Sequence, residues 1–151
     1  MPHHQQMLTI ATHGQSLTDI TREVGAVVRA ADLLCARPPH QPRALIGVVT
    51  VFVRHTSCSL TIQENADPDV QRDLLAFFKR LVPDGDPLFV HTSEGPDDMP
   101  AHVKAALTQT SLSIPLAHGR MLLGTWQGIY LFEHRRAPHR REIVVHVSGD
   151  G

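Results

Sequence analysis

Apolar positions recur along this chain at two spacings, and the change between them marks out the elements. Leu8 and Ile10 alternate with Thr9 and Ala11, which predicts a short strand over residues 6–11. Val24, Val27, Val28, Ala31 and Leu34 then fall on one helical stripe. Residues 18–21 offer caps for that helix, and the proline-rich stretch 37–42 ends it near Ala36. Residues 45–54 are apolar on both faces and rich in Val, the pattern of a central strand. Residues 59–62 form a short alternating segment. Asp67-Pro68-Asp69 starts a second helix, with Asp67 as N-cap and Pro68 at its first position. Val70, Leu74, Phe77, Phe78 and Leu81 would be its buried face, and residues 83–87 stop it.

Beyond that helix the pattern is mostly β. Residues 88–91 read as a brief strand and 100–107 as a short third helix. Strands follow over 112–116, 120–123, 128–133 and 141–148, the last with Ile143, Val145 and Val147 on one face. Gly119 and Ala137-Pro138 are turn residues expected to join these strands as antiparallel neighbours. Strands outnumber helices and do not alternate strictly with them. The expected fold is therefore α+β: a single domain over residues 1–151, core about 6–149, with an antiparallel or mixed, sandwich-like sheet, two longer helices and one short one.

Composition adds boundaries. A chain of 151 residues with 42% apolar and 19% charged residues forms one globular core. A formal charge of −1 argues against a general nucleic-acid binder. The longest nearly apolar run, 44–53, is too short to cross a bilayer, and residues 1–6 lack a signal-peptide pattern, so a cytoplasmic location is expected. Cys35 and Cys58 alone, without a CxxC, suggest neither a disulfide framework nor a zinc ribbon. Histidine is the unusual count, at 11 residues, so the positions of those rings carry the chemical question.

Three polar stretches stand out. His55-Thr56-Ser57-Cys58-Ser59-Leu60-Thr61 leads to Glu64-Asn65-Ala66-Asp67-Pro68, delivering a histidine and hydroxyls at the end of a buried strand. The alternative there is a strand end whose hydroxyls satisfy turn amides, with Asp67 as a helix cap. Two histidines, one glutamate and two aspartates lie within residues 91–102. His102 is expected in the first helical turn, where the dipole favours the neutral ring that a metal or an acid/base step requires. A solvated acidic loop is the competing reading, because the spacing matches no zinc motif. The third stretch, Gly124-Thr125-Trp126-Gln127-Gly128, holds the only tryptophan, and Glu133-His134-Arg135 follows it. Trp126 is either a ligand-pocket wall or core filler. The arginines at 135, 136, 140 and 141 around His134 either hold phosphate or form a solvated hairpin tip.

These stretches carry a resemblance over about residues 6–149. The first resembles the H-T-S/T-x-S/A-x-T…E-N-x-D-P signature of the YjbQ family, and His91…Glu94-Gly95…Asp97-Asp98-Met99-Pro100-Ala101-His102-Val103-Lys104 resembles its H…E-G…D-D-M-P-x-H-x-K block. Gly119-Arg120 with residues 124–128 resembles its G-R…G-T-W-Q-G block. The resemblance implies a compact α+β subunit in a homotrimer, and a polar pocket in which His55, His91 and His102 hold a divalent metal ion, Zn or Mg. It implies catalytic roles for Glu94, His102, Lys104 and His134, and substrate contacts from Thr56, Ser57, Asn65, Trp126, Gln127 and Arg135. The implied activity is a secondary thiamine-phosphate synthase reaction on a small phosphorylated substrate. Alternatives are a metal-dependent phosphoester hydrolase, or a non-catalytic trimer whose histidines hold a structural ion.

Overall fold

The computed structural model describes residues 3–34 and 46–150. The elements in order are β1 (His3–Thr12), β2 (Ser16–Asp19), α1 (Thr21–Leu34), β3 (Ile46–Val53), β4 (Cys58–Glu64), α2 (Pro68–Leu81), α3 (Asp98–Leu107), β5 (Ser111–Ala117), β6 (Arg120–Met121), β7 (Gln127–Glu133) and β8 (His139–Asp150). They form two antiparallel sheets, ordered β1-β8-β3-β5-β6 and β2-β7-β4. The expected single-domain α+β sandwich with two longer helices and a short one is what the structure has.

The alternating residues of the larger sheet supply one wall of the core: Val49, Val51 and Val53 of β3 with Ile143, Val145 and Val147 of β8. Leu60 of β4 and Ile129 and Leu131 of β7 supply the other, and the α1 stripe of Val24, Val27 and Val28 packs against both. β7 is buried on both faces, because Tyr130 and Phe132 form a second cluster with Leu17, Leu74, Leu75 and Phe78 beneath α2. Its near-continuous apolar sequence reflects that double burial.

Several expectations change. Residues 16–19 form β2, a strand the periodicity does not predict, while the expected cap within 18–21 is present: Asp19 accepts from the Thr21 N–H at 2.9 Å and the Thr21 hydroxyl at 2.6 Å as α1 begins. Asp67 accepts from the Asp69 N–H and Pro68 opens α2, as the sequence predicts. The α2 stripe is not buried: Phe77 and Leu81 are exposed, and the helix only leans on the smaller sheet. Residues 88–91 form no strand: they pair with neither sheet, and Val90 is 97% exposed. Ala137-Pro138 does not join neighbours: β7 pairs with β2 and β4 while β8 pairs with β1 and β3, so the connection crosses between sheets. The 120–123 strand shortens to β6, and α3 begins at Asp98. The proline-rich ending of the first helix lies outside the described residues.

Candidate metal centre

The crossing between sheets creates the site. At the end of β7, Glu133 turns inward and is fully buried. Arg141 of β8 grips it bidentately, Nε to Oε2 at 2.7 Å and Nη2 to Oε1 at 2.6 Å, and the Thr12 hydroxyl donates to Oε2 at 2.7 Å. Burial alone would push the Glu133 carboxyl up; its hydrogen bonds and the guanidinium charge hold it below its ordinary value. Glu133 Oε1 also accepts the Arg135 backbone N–H at 2.9 Å, which fixes where the Arg135 side chain starts.

Arg135 then gathers the loop before α3. Its Nε donates to Asp97 Oδ2 at 3.1 Å, its Nη1 to Asp98 Oδ1 at 2.6 Å, and its Nη2 to the Glu94 carbonyl at 2.9 Å. Gly95 permits the turn that brings these groups together, with φ of 106°, a conformation L side chains rarely adopt. Asp97 is not a side-chain helix cap; it accepts from Arg135 and from the Arg136 N–H. Burial raises its pKa, and these donors outweigh that and hold its carboxyl below the usual range.

The second oxygen of Asp98 faces two imidazoles, His91 Nε2 at 2.7 Å and His102 Nε2 at 3.4 Å. One donor atom from each of His91, Asp98 and His102 lies within 4.8 Å of the others. The donor chemistry fits a divalent cation of borderline character: two imidazole nitrogens and one carboxylate oxygen. The supporting shell fits as well. His102 Nδ1–H donates to the Thr56 carbonyl at 3.0 Å, leaving the Nε2 lone pair toward Asp98. Asp98 is buried to 3% exposure while His91 is exposed, so the group is anchored on one side and open on the other. Glu94 stands at that rim, its carboxylate 3.8 Å from Arg135 and largely exposed.

Of the residues the sequence marks, His91 and His102 meet and His55 does not join them. His55 Nε2 accepts the Glu142 backbone N–H at 2.8 Å, and burial together with the Arg141 charge lowers its pKa. The neighbouring residue serves the site instead, through the Thr56 carbonyl. Asp98 takes the place foreseen for His55. Its signal was present as Asp98-x-x-x-His102, which puts both side chains on one helix face once the helix starts before Pro100. His102 therefore sits one turn inside the helix, not in its first turn.

The expected phosphate contacts also move. Arg135 is committed to two carboxylates, Arg141 is buried on Glu133, and Arg136 pairs with Asp84. Lys104, on another face of α3, is buried, and desolvation lowers its pKa. Ser57 is buried and its hydroxyl accepts from Arg141 at 3.1 Å. Trp126 is neither core nor close to the histidines: it is 63% exposed, at the opposite end of β7 from Glu133, and its carbonyl accepts the Asn65 N–H. Gln127 folds back to accept the Gly124 N–H.

His134 lies in a buried network behind α3. Its Nε2 is 2.9 Å from Ser59 Oγ, and the Thr108 hydroxyl is 2.6 Å from Ser59 Oγ and 2.7 Å from the Lys104 carbonyl. Thr108 has one proton and the carbonyl can only accept, so Thr108 donates to Lys104 and Ser59 donates to Thr108. Ser59 then accepts from His134 Nε2–H, leaving Nδ1 as a buried lone pair with no partner among the described residues. Burial, then the Lys104 charge, depress the His134 pKa to about 3, so the ring is neutral.

The architecture and site define a small α+β sandwich protein with a His-Asp-His cluster whose donor atoms lie within 4.8 Å of one another. The chain belongs to the family described as UPF0047 protein YjbQ-like, whose profile matches residues 6–150. It is 52% identical over 147 residues to a UPF0047 protein of Synechocystis sp., covering 97% of this chain and 92% of that one. Against the UPF0047 protein YjbQ of Escherichia coli O157:H7 the identity is 39%, over 97% of this chain and 99% of the relative. A conserved hypothetical protein from Thermus thermophilus has a solved structure that superposes with a TM-score of 0.76 at 35% identity, covering 92% of this chain and 97% of that one. Among the described residues no helix is long and apolar enough to cross a membrane.

Proposed function

We propose that this protein is a divalent-metal-dependent enzyme acting on a phosphorylated small molecule. The convergence of His91, Asp98 and His102 on one partly open site, with Arg135 and the Thr56 carbonyl holding two of them, carries this reading. A bound cation there would supply charge neutralisation for phosphate oxygens. Glu94 is the carboxylate placed at the rim for proton transfer.

The specific reaction is formation of thiamine phosphate. The bond between the pyrimidine methylene carbon and its diphosphate oxygen breaks, the thiazole nitrogen donates its electron pair to that carbon, and pyrophosphate leaves. The test is turnover of hydroxymethylpyrimidine diphosphate and thiazole phosphate by Zn- or Mg-loaded protein, beside His102→Ala. Product formation by the wild type and none by a folded His102→Ala supports the reading. An active, metal-replete His102→Ala overturns it.

Hydrolysis of a phosphoester is the second reading, and one observation favours it. The cations expected to hold a diphosphate are spent on protein carboxylates or buried, which leaves the metal as the local positive charge. Phosphate or pyrophosphate release without a thiazole acceptor would identify it. The same proposal has the chain acting as a homotrimer in the cytoplasm, checked by sedimentation equilibrium with and without chelator. A trimer that dissociates on chelation would instead assign the ion a structural role.

A further inference from the structure

The Gly119-Arg120 and Gly124–Gly128 block does not contribute to the metal centre. β7 separates the two regions: at ~3.3 Å per residue, its seven residues place Glu133 roughly 20 Å from Gln127. The Gln127 end opens on a cavity of about 700 Å³ between α1 and the β5–β6 turn. That is the size of a small-molecule site.

Its lining is chemically divided. Val28, Met121 and Leu123 form an apolar wall, and Arg29 and Arg120 stand exposed beside it. Among the described residues neither arginine forms an ion pair. Arg29 and Asp32 are i,i+3 neighbours on α1, yet they do not pair with each other. Asp32 Oδ1 is buried and has no hydrogen-bond partner among the described residues. A buried carboxylate oxygen without a donor is costly to leave that way. The turn is built around it: Gly119 has φ of 68°, and a Cβ there would lie 2.7 Å from Asp32 Cγ and 2.9 Å from Oδ2. Glycine thus lets the turn rest directly on the carboxylate.

We propose that this cavity is a second binding site, taking a phosphate monoester of an amino-substituted heterocycle. The two guanidiniums match a phosphate dianion, which arginine contacts through paired N–H groups. The apolar wall accepts the ring, and the Asp32 carboxylate, which lines the cavity, accepts the amino N–H. The site is independent of the metal centre and of the reaction proposed there.

Isothermal titration of the full chain in EDTA tests this, with adenosine 5′-monophosphate, cytidine 5′-monophosphate and inorganic phosphate as probes. Saturable binding of at least one nucleotide is expected, weakened about tenfold or more by Arg120→Ala and by Asp32→Ala, and unchanged in His102→Ala. Circular dichroism establishes that each variant is folded, and amide shifts of Gly25 and Gly119 in the wild type locate the ligand. No nucleotide binding at ~5 mM, or equal affinity in the Arg120 and Asp32 variants, overturns the proposal. Inorganic phosphate binding as tightly as the nucleotides would also overturn it, since the ring and Asp32 would then contribute nothing.

Discussion

Arg135 Nη1 lies 2.6 Å from one oxygen of Asp98, while the other oxygen of the same carboxylate faces His91 at 2.7 Å. The arginine thus orients the Asp98 carboxylate and leaves its second oxygen facing the two imidazoles. Arg135→Ala is expected to weaken Zn binding about 10–100-fold, as loss of a supporting group does, while the fold persists. Asp98→Ala should weaken it by more than ~100-fold. Calorimetric Zn titration of both variants checks this; an Arg135→Ala protein with wild-type affinity would contradict the orienting role.

The Glu133–Arg141 pair is buried and fully hydrogen-bonded, so removing one partner strands the other. Arg141→Ala should cost about 3–5 kcal/mol in urea unfolding. Acid has the same effect more gradually. The folded-state pKa of Glu133 lies below its ordinary 4.5, so the unfolded chain takes up the proton first. The pair's contribution is therefore complete above about pH 4.5 and is lost as pH falls toward the lower folded value. Urea midpoints below pH 5 should fall more steeply for wild type than for a folded Glu133→Gln variant.

Much of the frame was legible because it rests on local periodicity. The α1 stripe from Val24 to Ala31, the β3 run, the Asp67-Pro68 start and the alternation in β8 appear where the spacing places them, whereas Leu34, the last position of that stripe, is exposed. The failures share a non-local cause. Whether residues 88–91 form a strand depends on whether the fold carries them alongside a sheet edge, and whether β7 pairs with β8 depends on which sheet each joins. Site residues followed the same division. His91 and His102 could be found by residue type, whereas separating His55 from Thr56 required knowing which group faces α3. Arg135 looked like a phosphate ligand because its sequence neighbours are basic; its partners Asp97 and Asp98 lie more than thirty positions away.

Gly47 is held by contact with backbone on the adjacent strand. A Cβ there would lie 2.1 Å from the Ser148 carbonyl oxygen and 2.6 Å from Gly149 Cα, neither of which can rotate away. Gly47→Ala should therefore destabilise by about 1–3 kcal/mol or more. Gly124→Ala is the control, since its nearest neighbour is the movable Gln127 side chain at 3.4 Å. Equal urea midpoints for the two variants would show that β3 and β8 separate at little cost.

His134 makes a prediction in the opposite chemical sense from the carboxylates but with the same sign in pH. Its ring packs on Phe132 at a centroid distance of 4.3 Å and remains neutral in the fold, with a pKa lowered from 6.5 to about 3 by burial and then by the Lys104 charge. As pH falls below 6.5 the unfolded chain gains a proton that the folded chain refuses. The stability linked to this ring is thus complete above 6.5 and declines until pH reaches about 3. A His134→Gln variant keeps an amide donor for Ser59 and has nothing to titrate. The stability advantage of wild type over that variant should shrink by about 2 kcal/mol between pH 6.5 and ~5, because one unit of pKa difference is worth about 1.4 kcal/mol. Urea unfolding of both proteins at several pH values measures it. An advantage that stays constant would mean the folded protein admits the proton, which requires a partner for Nδ1 or a displaced Lys104.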